Sequence, residues 1–199
     1  YPLRRQRQMC IRDRQSTDYI KKWINAIKLN RDTSFLIIFG GGSYANSIRL
    51  EQKIKKYDDL KAHKLAIKGM AYFTQDILDE YNDFTVINSV RNLQKNYKSR
   101  KLLIWMPSHE EVCNFNLPNN WDVTSDSIAL AISKSINSPL LVIKSVRFNC
   151  KRYLNNFFLK DNILDKYFSK NYKYSPQKIS LVSRDKHYKL REICKDFFD

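Results

Sequence analysis

The sequence predicts an α/β protein, a three-layer αβα sandwich around a mainly parallel central sheet. Three observations point that way. Short apolar runs alternate with stretches of helical period along most of the 199 residues. The run Phe35-Leu-Ile-Ile-Phe39 is apolar throughout, as a strand covered on both faces must be. Three of the chain's four glycines, Gly40, Gly41 and Gly42, follow that run directly and open onto helix-compatible residues from Ser43. Without Cβ atoms these glycines can take φ > 0 and let an anion lie against bare N–H groups at the positive end of a helix. The alternative is a tight turn with no ligand, for which one glycine suffices.

Each element follows from local pattern. From Ser16, the residues Ile20, Trp23, Ile24 and Ile27 recur at helical spacing, with Ser16 or Thr17 as N-cap. The glycine strand comes next, then a helix over 43–55 and a longer one from Asp58, whose apolar stripe includes Ala62, Met70, Phe73 and Ile77. His63 sits beside that stripe, where a lone histidine reads as packed or capping. Gly69 lies mid-helix at a cost of about 1 kcal/mol against alanine, so another element is expected to approach it closely. Strands are expected at 84–87, 102–106, 140–144 and 178–182, and helices at 89–97, along the segment after Trp121, at 162–170 and at 186–198. Residues 114–120 read as a loop and as the best boundary between two lobes.

Composition narrows the classes. With 43% hydrophobic residues the chain can bury a core, and no apolar run approaches the roughly 20 residues that span a bilayer. A cytoplasmic location is the expectation. Cys10, Cys113, Cys150 and Cys194 are scattered, with no C-x-x-C pair, and read as reduced thiols. The formal charge of +16 draws attention to nucleic acid. However, residues 1–15 resemble a translated sequencing-adapter read and carry five arginines and one aspartate; without them the charge is +12. The remaining basic residues are dispersed lysines, which attract phosphates in general and specify no partner.

Among nucleotide motifs, Gly40-Gly-Gly-Ser-Tyr-Ala45 satisfies G-x-G-x-x-A, yet two helices run on from Ser43 without the strand and acidic residue that a dinucleotide site requires. No P-loop, nucleophile elbow, kinase catalytic-loop signature or metal-ligand spacing occurs. A second constellation is Asp122-Val-Thr-Ser-Asp126 at a helix start. Two carboxylates four apart there are expected on one helical face, where they can orient a lysine or hold Mg²⁺ beside a triphosphate. Simple capping by Asp122 or Thr124 is the competing explanation.

Taken together, four segments resemble the amino acid kinase superfamily of aspartate, glutamate and uridylate kinases. They are Phe39 to Arg49, Ala62-His-Lys-Leu-Ala-Ile-Lys-Gly-Met70, Leu117 to Ala129 and Leu141-Val-Ile-Lys-Ser-Val146, in the family's order and spacing. The Trp-Asp-Val-Thr-Ser-Asp-Ser-Ile-Ala version is most similar to the branch that phosphorylates aminomethyl-furanyl-methyl phosphate in methanofuran biosynthesis. The resemblance implies an ATP- and Mg²⁺-dependent kinase acting on a small anionic acceptor. Gly40, Gly41 and Gly42 would bind phosphate, and Asp126 would position lysines. Lys144 would neutralise charge, while Asp122, Arg49 and Ser43 would contact the substrate. No separate metal-ligand set is implied, and a homo-oligomer is expected.

Two departures from the family pattern shape the remaining expectations. The family's opening Lys-x-Gly-Gly-Ser strand has no counterpart, its place being taken by residues 1–15, so a truncated and inactive fragment is expected. An Asp-x-Gly-like turn is replaced by Arg147-Phe-Asn149, and the second catalytic lysine is one of Lys160, Lys166 or Lys170. The domain expected is 16–199, with an acceptor lobe over 16–115 and a nucleotide lobe over 116–199. A non-catalytic phosphate sensor of the same fold and a basic nucleic-acid-binding protein are the alternatives.

Overall fold

The computed structural model describes residues 14–30, 32–96, 102–145 and 163–198. In chain order the elements are α1 (Arg14–Leu29), β1 (Phe35–Ile37), α2 (Gly42–Lys55), α3 (Asp59–Glu80), β2 (Thr85–Ile87) and α4 (Val90–Asn96). There follow β3 (Leu102–Trp105), α5 (His109–Cys113), α6 (Ser125–Ser135), β4 (Leu140–Lys144), α7 (Lys166–Asn171), β5 (Ile179–Ser183) and α8 (Leu190–Phe198). A 3₁₀ segment, Arg184–Lys189, joins β5 to α8. Helix α1 runs through Ser16 and Thr17, so neither caps it. Short α5, absent from the sequence reading, is fixed by Ser108, whose side chain accepts from the Glu111 N–H.

Every strand pair among the described residues is parallel. One sheet has the order β1-β3-β2, with Phe35 opposite Leu102 and Ile87 opposite Trp105; the other pairs β4 with β5, Leu140 opposite Ile179 and Lys144 opposite Ser183. The expected central sheet is thus present as two parallel portions, with a cavity of about 360 Å³ lined by residues of both β1 and β4.

Helices cover both faces, because the strand residues alternate sides. Leu103 and Trp105 of β3 enter one core with Ile87, Val112, Ile128 and Ile132, whereas Ile104 packs the opposite way against Ile24, Phe73 and Ile77. Val182 joins Trp23, Ile27, Leu190 and Cys194 in a third cluster beneath α1 and α8. Trp23, Ile24 and Ile27 are all buried, as the periodicity of α1 requires. Cys113 and Cys194 are free thiols; Cys10 and Cys150 lie outside the described residues.

The close approach expected at Gly69 is present. A Cβ there would lie 3.0 Å from Tyr44 Cβ and 3.3 Å from the Ala45 backbone nitrogen, so α3 meets the first turn of α2 at contact distance. This packing sets the direction in which the glycine turn faces.

Candidate active site

Parallel strands deliver their carboxyl ends to one rim, and ligand sites in α/β sheets form there. A cavity of about 260 Å³ opens at that rim, lined by Gly40, Gly41 and Gly42 after β1, Lys144 at the end of β4, and Arg184 just after β5. Thr124, Ser125 and Asp126 at the start of α6 line it as well. The glycine and acidic turns approach so closely that a Cβ on Gly40 would lie 3.1 Å from Ser125 Oγ.

The three glycines are required for different reasons. Gly41 is the N-cap of α2 in right-handed conformation (φ −73°, ψ −3°), and its constraint is space: a Cβ would sit 2.7 Å from Ala45 Cβ. Gly42 has φ 51°, the left-handed region that favours glycine, and is the one described glycine there. Gly40 is limited by Ser125. The turn therefore leaves backbone rather than side chains at the N-terminus of the 14-residue helix α2, as an anion cradle requires.

The acidic turn departs from the sequence expectation. Asp122 lies ahead of α6, not on it; its N–H donates to Asn120 Oδ1 at 2.9 Å, and Thr124 is the N-cap. The carboxylates consequently diverge instead of sharing a helical face. Asp122 turns outward to Lys166 at 3.1 Å, with side chains 43% and 73% exposed. Asp126 turns inward to Lys144 Nζ at 2.7 Å, with side chains 9% and 20% exposed. Burial raises the Asp126 pKa, and the Lys144 ammonium opposes that shift first among the stabilising groups.

What holds this turn in place is a residue the motif search passed over. Asp165, the N-cap of α7, accepts from Phe168 N–H at 2.7 Å and also from Thr124 N–H (2.8 Å), Thr124 Oγ1 (2.8 Å), Ser127 N–H (3.1 Å) and Ser127 Oγ (2.5 Å). One carboxylate thus ties the start of α6 to the start of α7. The helix expected over 162–170 encloses Asp165, whereas α7 begins at Lys166 with Asp165 as its cap, and nothing local shows which distant donors it would gather.

Arg49 on α2 also lines the cavity. Its guanidinium carbon lies 4.2 Å from the centroid of the Trp121 ring, and Trp121 Nε1 donates to Gln52 Oε1 at 2.6 Å, one turn along the same helix. Desolvation lowers the Arg49 pKa, its Nε is buried without a hydrogen-bond partner, and among the described residues it has no ion pair. His63 lines the cavity too and is 3% exposed, with an unpartnered Nε2. Burial, then the nearby His109, depress its pKa, while a hydrogen bond with the Asn120 backbone opposes them.

Other sequence candidates are not brought to this cavity. Asp122, Ser43, Lys166 and Lys170 do not line it. Lys166 is occupied with Asp122 and Lys170 is exposed on α7; Lys160 and Arg147 to Asn149 lie outside the described residues. The basic groups at the cavity are Arg49, Lys144 and Arg184, whose guanidinium lies 4.7 Å from the Tyr19 ring. Among the described residues no group of three metal-ligating side chains occurs.

In fold, the chain is similar to the crystal structure of uridylate kinase from Archaeoglobus fulgidus. The TM-score is 0.64 at 10% identity, with 88% of this chain and 89% of that chain covered. The fold is therefore α/β and amino acid kinase-like. In sequence, 108 residues are 29% identical to the 5-(aminomethyl)furan-3-ylmethyl phosphate kinase of Methanocaldococcus jannaschii, over 54% of this chain and 50% of that protein. The chain spans about half the length of that curated relative. The sequence match supports the amino acid kinase superfamily that the motifs resemble, the structural match shows the fold, and neither bears out the expectation of an inactive fragment. No protein-family model matches the chain.

Proposed function

We propose that this protein is a kinase that moves the γ-phosphoryl group of MgATP to a small anionic acceptor, a phosphomonoester of the aminomethyl-furanyl-methyl phosphate type. One observation carries the proposal: the glycine turn, the Asp126–Lys144 pair and Arg49 line a single cavity of about 260 Å³. Phosphoryl transfer needs little beyond positioning and neutralisation of charge on the transferred group. The backbone N–H groups of Gly41 and Gly42 can take phosphate oxygens. Lys144 can follow developing negative charge because Asp126 fixes its ammonium.

Asp126 is an orienting group in this scheme, not a base, since its Oδ2 is held by the Lys144 ammonium at 2.7 Å. Mg²⁺ would arrive with the nucleotide and draw most of its ligands from phosphates and water, which asks for no dedicated carboxylate cage. The proposed setting is cytoplasmic and the proposed assembly a homo-oligomer; no described helix is long and apolar enough to cross a membrane.

The test is ADP release from MgATP with phosphomonoester acceptors, comparing the wild type with Asp126→Asn. Loss of one organising charge is expected to lower turnover by about a hundredfold or more. Equal turnover by the variant would overturn the assigned roles. Nucleotide binding without ADP release with any acceptor would instead favour the phosphate-sensing alternative.

A further inference from the structure

We propose that His63 is a specificity residue that binds the phosphoryl head of the acceptor through Nε2, with Arg49 as the second contact. The proposal rests on the kinase reading above and assigns the acceptor end of that site. Sequence alone reads His63 as a packed or capping histidine, and burial by itself agrees with packing. Its hydrogen bonding does not. A buried nitrogen left without a partner is destabilising, and such groups are few in folded proteins. Here Nε2 of His63 and Nε of Arg49 are both buried and both unpartnered, on different helices, and both residues line one cavity.

The surroundings select an anion with a compact apolar body. Arg49 is half-buried with no carboxylate opposing it among the described residues, so its charge lacks a counter-ion that a phosphoryl group would supply. Ala66, Ile67, Met70 and Phe73 of α3 add apolar wall. At about 260 Å³ the cavity is smaller than most ligand sites, which run from about 300 Å³ upward, and this argues against a bulky acceptor. Nε2 is the ring nitrogen that is buried without a hydrogen-bond partner, and so the one open to a ligand.

The charged and titratable groups that line the cavity with His63 are Tyr19 on α1, Arg49 on α2, Asp126 on α6, Lys144 at the end of β4 and Arg184 after β5, and His109 on α5 lies near the ring. Burial and His109 favour the neutral ring; a bound phosphoryl dianion reverses the local field, and the ring takes up a proton to donate it. Binding is therefore coupled to proton uptake, which a purely structural histidine would not show.

The experiment is calorimetry on the full chain in two buffers of different ionisation enthalpy, near neutral pH. Methyl phosphate and 5-(aminomethyl)furan-3-ylmethyl phosphate serve as probes, and MgADP is titrated separately. His63→Asn keeps an amide near Nδ1 and removes Nε2; His63→Gln places an amide near Nε2 and cannot take up a proton. The wild type is expected to bind a probe with proton uptake. His63→Gln should bind within about threefold and without uptake, and His63→Asn about tenfold or more weaker, all three with equal MgADP affinity.

Equal probe affinity in His63→Asn, or binding by the wild type without proton uptake, would overturn the proposal. Binding of MgADP but of neither probe would overturn it while leaving the kinase reading intact. Binding of none of the three would remove both.

Discussion

Replacing Asp165 with asparagine tests how the acidic turn is held. The carboxylate accepts five hydrogen bonds, three at Oδ2 from Thr124 N–H, Thr124 Oγ1 and Ser127 N–H, and two at Oδ1 from Ser127 Oγ and Phe168 N–H. An asparagine retains one oxygen. Placed at the Oδ2 position, it leaves the Phe168 N–H facing an NH₂ group, an unmatched donor worth about 1–3 kcal/mol. The surviving bonds lose their charge assistance, so the total comes to about 2–4 kcal/mol. For a domain of this size that corresponds to a melting temperature lower by roughly 5–15 °C. Urea unfolding at equilibrium gives the free energy directly. A double-mutant cycle with Thr124→Val should return a coupling of about 1 kcal/mol or more between the two positions. A loss below about 0.5 kcal/mol for Asp165→Asn would refute the view that this residue clamps α6 to α7.

Two further perturbations have signs fixed by the geometry. Gly41→Ala puts a methyl group 2.7 Å from Ala45 Cβ and 3.4 Å from the Met70 nitrogen, and is expected to destabilise by about 1–3 kcal/mol in urea unfolding. Gly42→Ala forces alanine to φ 51° and should be destabilising by about 1–2 kcal/mol; a neutral result would mean the turn relaxes to negative φ. The third prediction concerns pH. His63 and His187 both have pKa values below the ordinary 6.5, each chiefly through desolvation. The unfolded chain binds those protons first as pH falls, so this contribution is present above pH 6.5 and lost as pH drops through the folded values. Stability measured stepwise below pH 6.5 should decline, and less steeply in His63→Gln; an unchanged slope would contradict the burial assigned to His63.

Much of the fold was legible because it depends on period and composition. The continuous apolar runs at β1, β3 and β4 are all strands, β3 mostly buried and β1 and β4 mostly half-buried, and the i, i+3, i+4 pattern of α1 places Trp23, Ile24 and Ile27 in the core. The same logic reached the glycine turn, since three adjacent residues without Cβ atoms are conspicuous in one dimension. It could not reveal that Gly41 and Gly69 are limited by the same two helices packing, or that one glycine of three has positive φ.

The acidic turn was legible as chemistry and misread as geometry. Spacing of four suggests one helical face only when both residues are helical, and Thr124 starts α6 between them. Asp122 therefore points outward while Asp126 meets Lys144. The contacts of Asp165 and Trp121 were out of reach because their partners are distant in sequence. Asp165 contacts residues about forty positions away, and Trp121 is fixed by Gln52 sixty-nine positions away.

The central claim is that the bare backbone at Gly40 to Gly42 and the turn bearing Asp126 face one shared polyphosphate. The most direct measurement is amide NMR of the protein, with the glycine nitrogens labelled, during titration with a non-hydrolysable MgATP analogue. Large shifts confined to Gly40, Gly41 and Gly42, with Gly69 unmoved as the internal control, are the result this account predicts. Saturable nucleotide binding that leaves those three amides unshifted would contradict it.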